Sequence, residues 1–417
     1  GGANNRFNNI TIDGAVNNDV FGLAGSGTPG GQASTQPISL DAIQEIQVVL
    51  APYDVTQGNF TGGGVNAVTR SGTNRFQGSA YYFGRTENIV GENPLNGVSY
   101  PSFSDNQYGF RLGGPIVQNK LFFFVNAESG RRAAPIAFNA GDPGAPTTVA
   151  IAEQIRNYTL QTYGYDVGGF GPIDARTEND KVFAKLDWNI NRVHQLTVRH
   201  NYISAFDDNI SRSSNSFRFG NNAYQFNNEQ NISVLELRSN FSSRFSNNLI
   251  LGYSRIRDNR NTAGALFPQI QINNVGESGN SVFFGTERSS VANELDQDLF
   301  GITNNFKYYL GNHTLTFGTH NEFFKFRNLF INNLNGRWDF TSLENYLNNI
   351  PSRARVTYSA IPGVERPDAE FSAAQLGCYV QDQFDVYDRL NLTLGVRVDI
   401  PVIGDSPLNN PAVEAPF

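Results

Sequence analysis

Between Leu390 and Ile400 every second residue is aliphatic: Leu390, Leu392, Leu394, Val396, Val398 and Ile400 alternate with Asn391, Thr393, Gly395, Arg397 and Asp399. A period of two puts the sets on opposite faces of a β-strand. The pattern recurs where Leu196, Val198, His200 and Tyr202 oppose Gln195, Thr197, Arg199 and Asn201. It recurs again where Phe76, Gly78, Ala80 and Tyr82 oppose Gln77, Ser79, Tyr81 and Phe83. Eleven segments read as strands: 73–85, 105–117, 119–131, 180–190, 193–206, 228–242, 246–258, 297–310, 313–327, 375–387 and 390–400. Most run about 11 to 15 residues, whereas strands of soluble sheets run about 5–6 and a tilted bilayer crossing needs roughly 9–11.

The connections sharpen this reading. Tight turns at Gln118-Asn119-Lys120, Asn191-Arg192, Arg244-Phe245-Ser246, Gly311-Asn312 and Tyr387-Asp388-Arg389 alternate with excursions of about 20 to 49 residues. Short connections on one side and long ones on the other are the pattern of a membrane β-barrel. In hydrocarbon every backbone polar group needs a partner, so such a sheet must close on itself. Aromatics near strand ends (Tyr81, Tyr82, Phe83, Phe122, Phe123, Phe124, Tyr308 and Tyr309) suit an interfacial belt, or ordinary sheet packing.

Composition agrees. Charged residues are 17% of the 417, against roughly 25% in a usual soluble protein, and Asn, Gly, Phe and Tyr are abundant. These favour strands and turns over helices. The net charge of −7 lacks a basic patch, so nucleic-acid binding is not expected. Cys378 stands alone, which excludes an internal disulfide. No apolar run is long enough for a transmembrane helix, and no signal peptide or methionine occurs, so the chain reads as processed or as part of a longer product.

Residues 1–72 differ from the rest and read as a small mixed piece. A short strand from Asn9 ends in an Asp13-Gly14 turn. A helical turn near Leu40 leads into a strand at Ile46–Val49, which returns through Tyr53-Asp54. Thr61 and the glycines Gly62, Gly63 and Gly64 read as a bend before the strand Val65–Val68. The chain then turns through Ser71-Gly72-Thr73 into the first long strand, in which Asn74 stands second.

Two long excursions carry local helices, 147–163 and 342–349. Ile151, Gln154, Arg156, Tyr158 and Tyr163 are candidate ligand-facing positions on the first. The plainer alternative is that a loop of this length needs local structure to stay compact.

Several of these strings together resemble the TonB-dependent outer-membrane receptors, in particular the Oar-like group of Bacteroidetes. Ile12-Asp13-Gly14 resembles a strand end of the family's plug domain, and Asp41 to Val48 the stretch before its last elements. Gly62 to Asn74 is similar to the plug-to-barrel junction, and Phe76-Gln77-Gly78-Ser79 to the start of the first barrel strand. Leu112 to Val117 with Lys120 to Phe124, and Tyr379 to Phe384 with Leu392 to Asp399, resemble later hairpins.

The resemblance implies an all-β transmembrane fold: a large antiparallel barrel with part of an N-terminal plug, in the outer membrane of a Gram-negative bacterium. Family barrels have 22 strands; about 11 are present here, before a proline-rich tail ending at Phe417. The expected organisation is 1–72 as the C-terminal part of the plug and 73–417 as the first half of the barrel. The glycines at the junction would let the plug bend and approach the wall. The expected function is active import of a large nutrient through the TonB-ExbB-ExbD complex, contacted by a plug segment not found here, with outer-membrane lipid around the wall and a surface lipoprotein as a further partner. A structural or interaction role in secretion, adhesion or surface assembly is the alternative, and a passive channel the third.

No enzyme, cofactor or metal site is expected. His194, His200, His313 and His320 are scattered, and no GKS/T follows the glycines. Asp207-Asp208 and Asp296-Gln297-Asp298 read as solvated loop charge, with extracellular calcium as the alternative. The Lys+Arg total of 31 argues mildly against a highly anionic ligand, although local lumen charge matters more.

Overall fold

The computed structural model describes residues 4–50, 54–58, 62–95, 97–387 and 389–404. Tyr53, Thr61, Asp388 and the tail ending at Phe417 lie outside them. The described strands form three sheets.

The largest is a meander of eleven antiparallel strands, here called the wall. Its members are β5 (Gln77–Thr86), β6 (Ser104–Val117), β7 (Leu121–Pro135), β8 (Asp174–Asn189), β9 (His194–Asn209), β11 (Tyr224–Asn240), β12 (Phe245–Thr262), β15 (Asn293–Leu310), β16 (His313–Phe330), β19 (Ala369–Tyr387) and β20 (Leu390–Ile403). Each of the eleven expected segments has its strand. Neighbours are joined alternately by short turns and by the long loops 87–103, 136–173, 210–223, 263–292 and 331–368, numbered 1 to 5 below.

Alternation sorts the wall's side chains as the sequence pattern requires. On the outer face, Leu394, Val396 and Val398 alternate outward with neighbours such as Val380, and all are exposed. Toward the loop ends that face becomes charged. Arg131 meets Asp180 at 2.8 Å, Arg257 meets Asp298 at 2.9 Å and Arg327 meets Glu294 at 3.0 Å. The charge marks where the apolar band ends. The expected aromatic belt is only partly outward: Tyr82 points out, whereas Tyr81 and Phe124 alternate inward, Tyr81 onto Glu128 and Phe124 onto Phe183.

Against the inner face lies a four-stranded sheet of β1 (Asn9–Ile12), β2 (Ala15–Val16), β3 (Ile43–Leu50) and β4 (Gly63–Thr69), in the order β2-β1-β4-β3. Asp13 and Gly14, at φ 45° and 76°, make the tight turn between β1 and β2. Gly63 and Gly64 are not part of a bend; they open β4 and pair with Leu50 and Val49.

Beyond the wall's loop ends stands a third sheet: β10 (Ser216–Arg218), β13 (Gln269–Asn273), β14 (Ser281–Phe284), β17 (Arg337–Phe340) and β18 (Arg353–Arg355). Loops 3, 4 and 5 all contribute to it. Loop 2 adds α2 (Val149–Tyr163), capped by the Thr148 hydroxyl and ended by Gly164 at φ 67°, and loop 5 adds α3 (Leu343–Leu347). Loop 1 carries the short helix α1 (Glu87–Val90). Ile155, Phe217, Phe219, Ile272, Phe284 and Tyr346 form one closed apolar core under the two helices α2 and α3.

Candidate functional site

The small sheet is bound to the wall through three carboxylates. Asp13 Oδ1 accepts from the Thr69 backbone N–H at 2.7 Å, and its Oδ2 accepts from the Thr69 hydroxyl at 2.6 Å, stitching β1 to β4. The same carboxylate reaches Arg199 at 3.3 Å and Lys185 at 3.7 Å on the wall. Arg199 also donates to the Ile12 carbonyl, and Lys185 to the Thr69 hydroxyl at 3.0 Å. Both cations are buried, so leaving either without its partners would be costly.

Glu128 on β7 is the second centre. It accepts from Lys181 at 2.8 Å, from the Ser39 hydroxyl at 2.7 Å and from the Tyr81 hydroxyl at 2.6 Å. Asp41 is the third, reached by Ser79 at 2.9 Å and Arg111 at 3.2 Å, while Arg70 donates to its backbone carbonyl at 3.2 Å. Between these polar centres Ile12, Ile38 and Ala42 pack on Phe124 and Phe183. Near β19 and β20, Arg397 donates to the Val55 carbonyl at 3.0 Å and the Gln381 side-chain oxygen accepts from the Val55 N–H at 3.1 Å.

The segment from Asn17 to Gln36 rises toward the loop sheet. Phe21 lies edge-on to Phe326 at 5.5 Å, Ala33 packs with Ile203, Ala205 and Phe226, and the Ser34 hydroxyl donates to Asp207 at 3.1 Å. A pocket of about 250 Å³ remains between the small sheet and the wall, lined by Thr11, Gly14, Asn66, Ile250, Thr303 and His320 among others.

The junction residues take different roles. A Cβ on Gly62 would meet the Asn8 side chain at 2.3 Å, and one on Gly63 would meet Leu50 at 3.4 Å; both approaches are within the small sheet. The close approach to the wall belongs to Gly72, where a Cβ would meet the Phe123 carbonyl oxygen at 2.3 Å and that of Gly114 at 2.8 Å. Gly64 pairs in β4, and Ser71 follows that strand. Asn74 locks the junction to the first short turn: its amide donates to Asn119 Oδ1 at 2.6 Å, and its oxygen accepts from the Asn119 N–H at 2.7 Å.

On α2 the candidates divide. Ile151 and Tyr158 pack against the loop-sheet core. Gln154 and Arg156 are exposed, Arg156 lying 3.4 Å from Asp166, and the Tyr163 hydroxyl donates to Asn349 at 3.2 Å. Loop 2 is fastened further by Arg212, which donates to Asn139 at 2.6 Å and lies 4.5 Å over Phe217; burial draws its guanidinium down to about 10.

The histidines stay apart: His194 and His200 bond to Ser239 and Ser233, His313 to Asp382 and His320 to Thr303. Among the described residues no cluster is placed to hold a metal ion. Asp208 pairs with Arg176, and Asp296 and Asp298 with arginines, so the acidic clusters are charge-matched within the fold. The sequence reading missed Arg199, Lys185, Lys181 and Glu128 as anchors. The signal was present in Lys181, Phe183, Lys185 and Asp187, which place charge beside an aromatic on one face of a strand.

The sequence pattern of the outer membrane beta barrel domain matches residues 68–149 and 145–405. The chain belongs to this family of outer-membrane β-barrels, and the outer membrane of a Gram-negative bacterium is its location. The TonB-dependent transporter Oar of Myxococcus xanthus is 32% identical over 139 residues, 30% of this chain and 12% of that one. The outer membrane transporter YddB of Escherichia coli superposes with a TM-score of 0.63 at 11% identity, over 96% of this chain and 49% of its own. The ferripyoverdine receptor of Pseudomonas aeruginosa gives 0.57 at 14% identity, over 95% and 45%. The chain thus spans about half the length of these solved structures and a smaller share of the curated relative.

Proposed function

We propose that the chain is part of a TonB-dependent transporter of the Oar-like group, importing a large nutrient across the outer membrane. In this reading residues 1–72 are the C-terminal part of the plug and residues 73–417 the first half of a 22-stranded barrel. The observation that carries it is the small sheet held on the wall's inner face through Asp13, Asp41 and Glu128. Buried ion pairs fix a plug in one orientation, yet each is a discrete contact that an applied force can break. Among the described residues β5 and β20 are the two edges of the wall, and further strands beside them would support this reading, because an unpaired edge in lipid is untenable. TonB-ExbB-ExbD would supply the force, and a surface lipoprotein is a further partner by the same resemblance.

The second reading is a structural or interaction role in secretion, adhesion or surface assembly. It draws on the folded loop sheet, which has its own apolar core. Depletion of solutes from the medium separates the two, compared among wild-type cells, cells lacking this protein and cells lacking TonB. Import expects the same solutes to remain in both mutants. Identical depletion in all three strains, with altered surface adhesion in the first mutant, would reject it in favour of the second reading.

A further inference from the structure

The two faces of the loop sheet are chemically opposite. One face, with Phe217, Ile270, Ile272, Val282 and Phe284, closes the core beneath α2 and α3. The other is an arginine face. Register places Arg218 beside Phe283, Phe283 beside Gln271, Gln271 beside Asp339 and Asp339 beside Arg353, one row across all five strands. Arg337 and Arg355 flank that row, and Arg288 follows β14 at its rim.

Five arginines face two nearby carboxylates, Asp339 and Glu287. Asp339 is shared, receiving Arg337 at 2.7 Å and Arg355 at 2.8 Å. Glu287 is occupied by the Ser290 hydroxyl at 2.5 Å and the Ser289 N–H at 3.0 Å. Arg218 stacks 4.5 Å over Phe283 and donates to Asn222 at 2.6 Å, with no carboxylate in ion-pair contact among the described residues. The Arg288 and Arg353 guanidiniums have no ion-pair partner there either. Burial lowers the Arg218 guanidinium; the nearby Glu287 charge opposes this, and Arg288 and Arg337 add smaller repulsions. A fold that gathers cations without matching anions leaves a field that favours an incoming anion.

The Arg218 end of this face lies beside the wall's mouth. Arg218 and Glu287 act electrostatically on Tyr224, the first residue of β11, which packs on the cluster holding Ala33 of the rising segment. Arg260, from the inner face of β12, lies 4.6 Å over the same tyrosine ring.

We propose that this arginine face, above the segment from Asn17 to Gln36, is a binding site for a solute bearing clustered oxyanions, either carboxylates or phosphates. The proposal rests on the import reading and names its substrate class. The low total of Lys+Arg understated this, because five arginines gather at one small sheet whatever the total. Planar guanidiniums suit bidentate oxyanion recognition, and Phe283 holds one of them flat.

The test is calorimetric titration of the full-length protein in detergent with citrate and, separately, tripolyphosphate. Arg288→Ser and Arg353→Ser break no internal pair, so the fold survives them, as circular dichroism will verify. Each is expected to weaken the tighter probe about tenfold, with partial rescue by Arg288→Lys. Binding of neither probe, or binding unchanged in both serine variants, overturns the proposal. The import reading fails separately: anion binding with no TonB-dependent solute depletion rejects import and keeps the site, whereas TonB-dependent depletion of neutral solutes alone rejects the anionic class and keeps import.

Discussion

Asp13 and Arg199 lie 3.3 Å apart across the boundary between the small sheet and the wall, and the Arg199 side chain is only 2% exposed. The same carboxylate holds β4 through Thr69, so one side chain fastens the small sheet to itself and to the barrel. Asp13→Asn keeps the size but removes the charge opposite Arg199 and Lys185. The expected cost is about 3–5 kcal/mol, borne by the docking of the small sheet rather than by the wall. Hydrogen exchange would show faster exchange at 63–69 with the wall strands unchanged. Unaltered protection of β4 would dismiss the anchoring role.

Gly72 makes the second test. The atoms a new Cβ would meet are the backbone oxygens of Phe123 and Gly114, which cannot swing aside as a side chain does. Gly72→Ala is expected to cost about 1–3 kcal/mol and to slow barrel assembly. Gly63→Ala, whose nearest contact is the Leu50 side chain at 3.4 Å, should be milder. Urea midpoints of the full-length protein refolded into liposomes would rank them; equal effects would contradict the geometry.

How far the sequence alone reached follows from where lipid and water lie. The eleven wall strands were legible because an apolar face against hydrocarbon forces strict alternation. Their loop-side ends were not: β8 begins at Asp174 rather than near 180, and Arg176, Thr177 and Glu178 carry no apolar stripe. Those residues stand above the apolar band, where neither face need be greasy. The loop sheet stayed hidden for another reason. Strands such as β10 and β14 are three and four residues long and come from different loops, so no local period announces their pairing. Ile12-Asp13-Gly14 was visible as a string, but Arg199 as its partner was not, since a contact so distant in sequence is set only by the fold.

The core of the loop sheet makes deletion of 147–163 an indirect probe of ligand contact, since Ala152, Ile155 and Thr159 of α2 are fully buried in it. Such a deletion would unseat the whole loop domain. Substitution of exposed Gln154, Arg156 or Tyr163 is the cleaner experiment. If these residues face ligand, alanine variants should lower affinity several-fold while protease resistance of the loops persists. Unchanged affinity in all three would remove α2 from the recognition surface.

Tyr346 tests that core directly. Its hydroxyl shares a buried 2.7 Å hydrogen bond with Thr159, burial holds its ionisation well above the ordinary tyrosine range, and its ring lies edge-on to Phe284 and Phe340. Tyr346→Ala empties a volume that neighbours from loops 2, 4 and 5 surround, in a core to which loop 3 adds Phe217 and Phe219, at an expected cost of about 3–5 kcal/mol to the loop domain. Tyr346→Phe keeps the ring and leaves only the Thr159 hydroxyl to be satisfied through Ile155, to whose carbonyl it already donates at 2.6 Å, so about 1 kcal/mol is expected. Limited proteolysis should therefore cut loops 2 to 5 together in the alanine variant and spare them in the phenylalanine variant. Cleavage confined to loop 5 would mean that the loops are held independently, and the single shared core would not be the element that sets them.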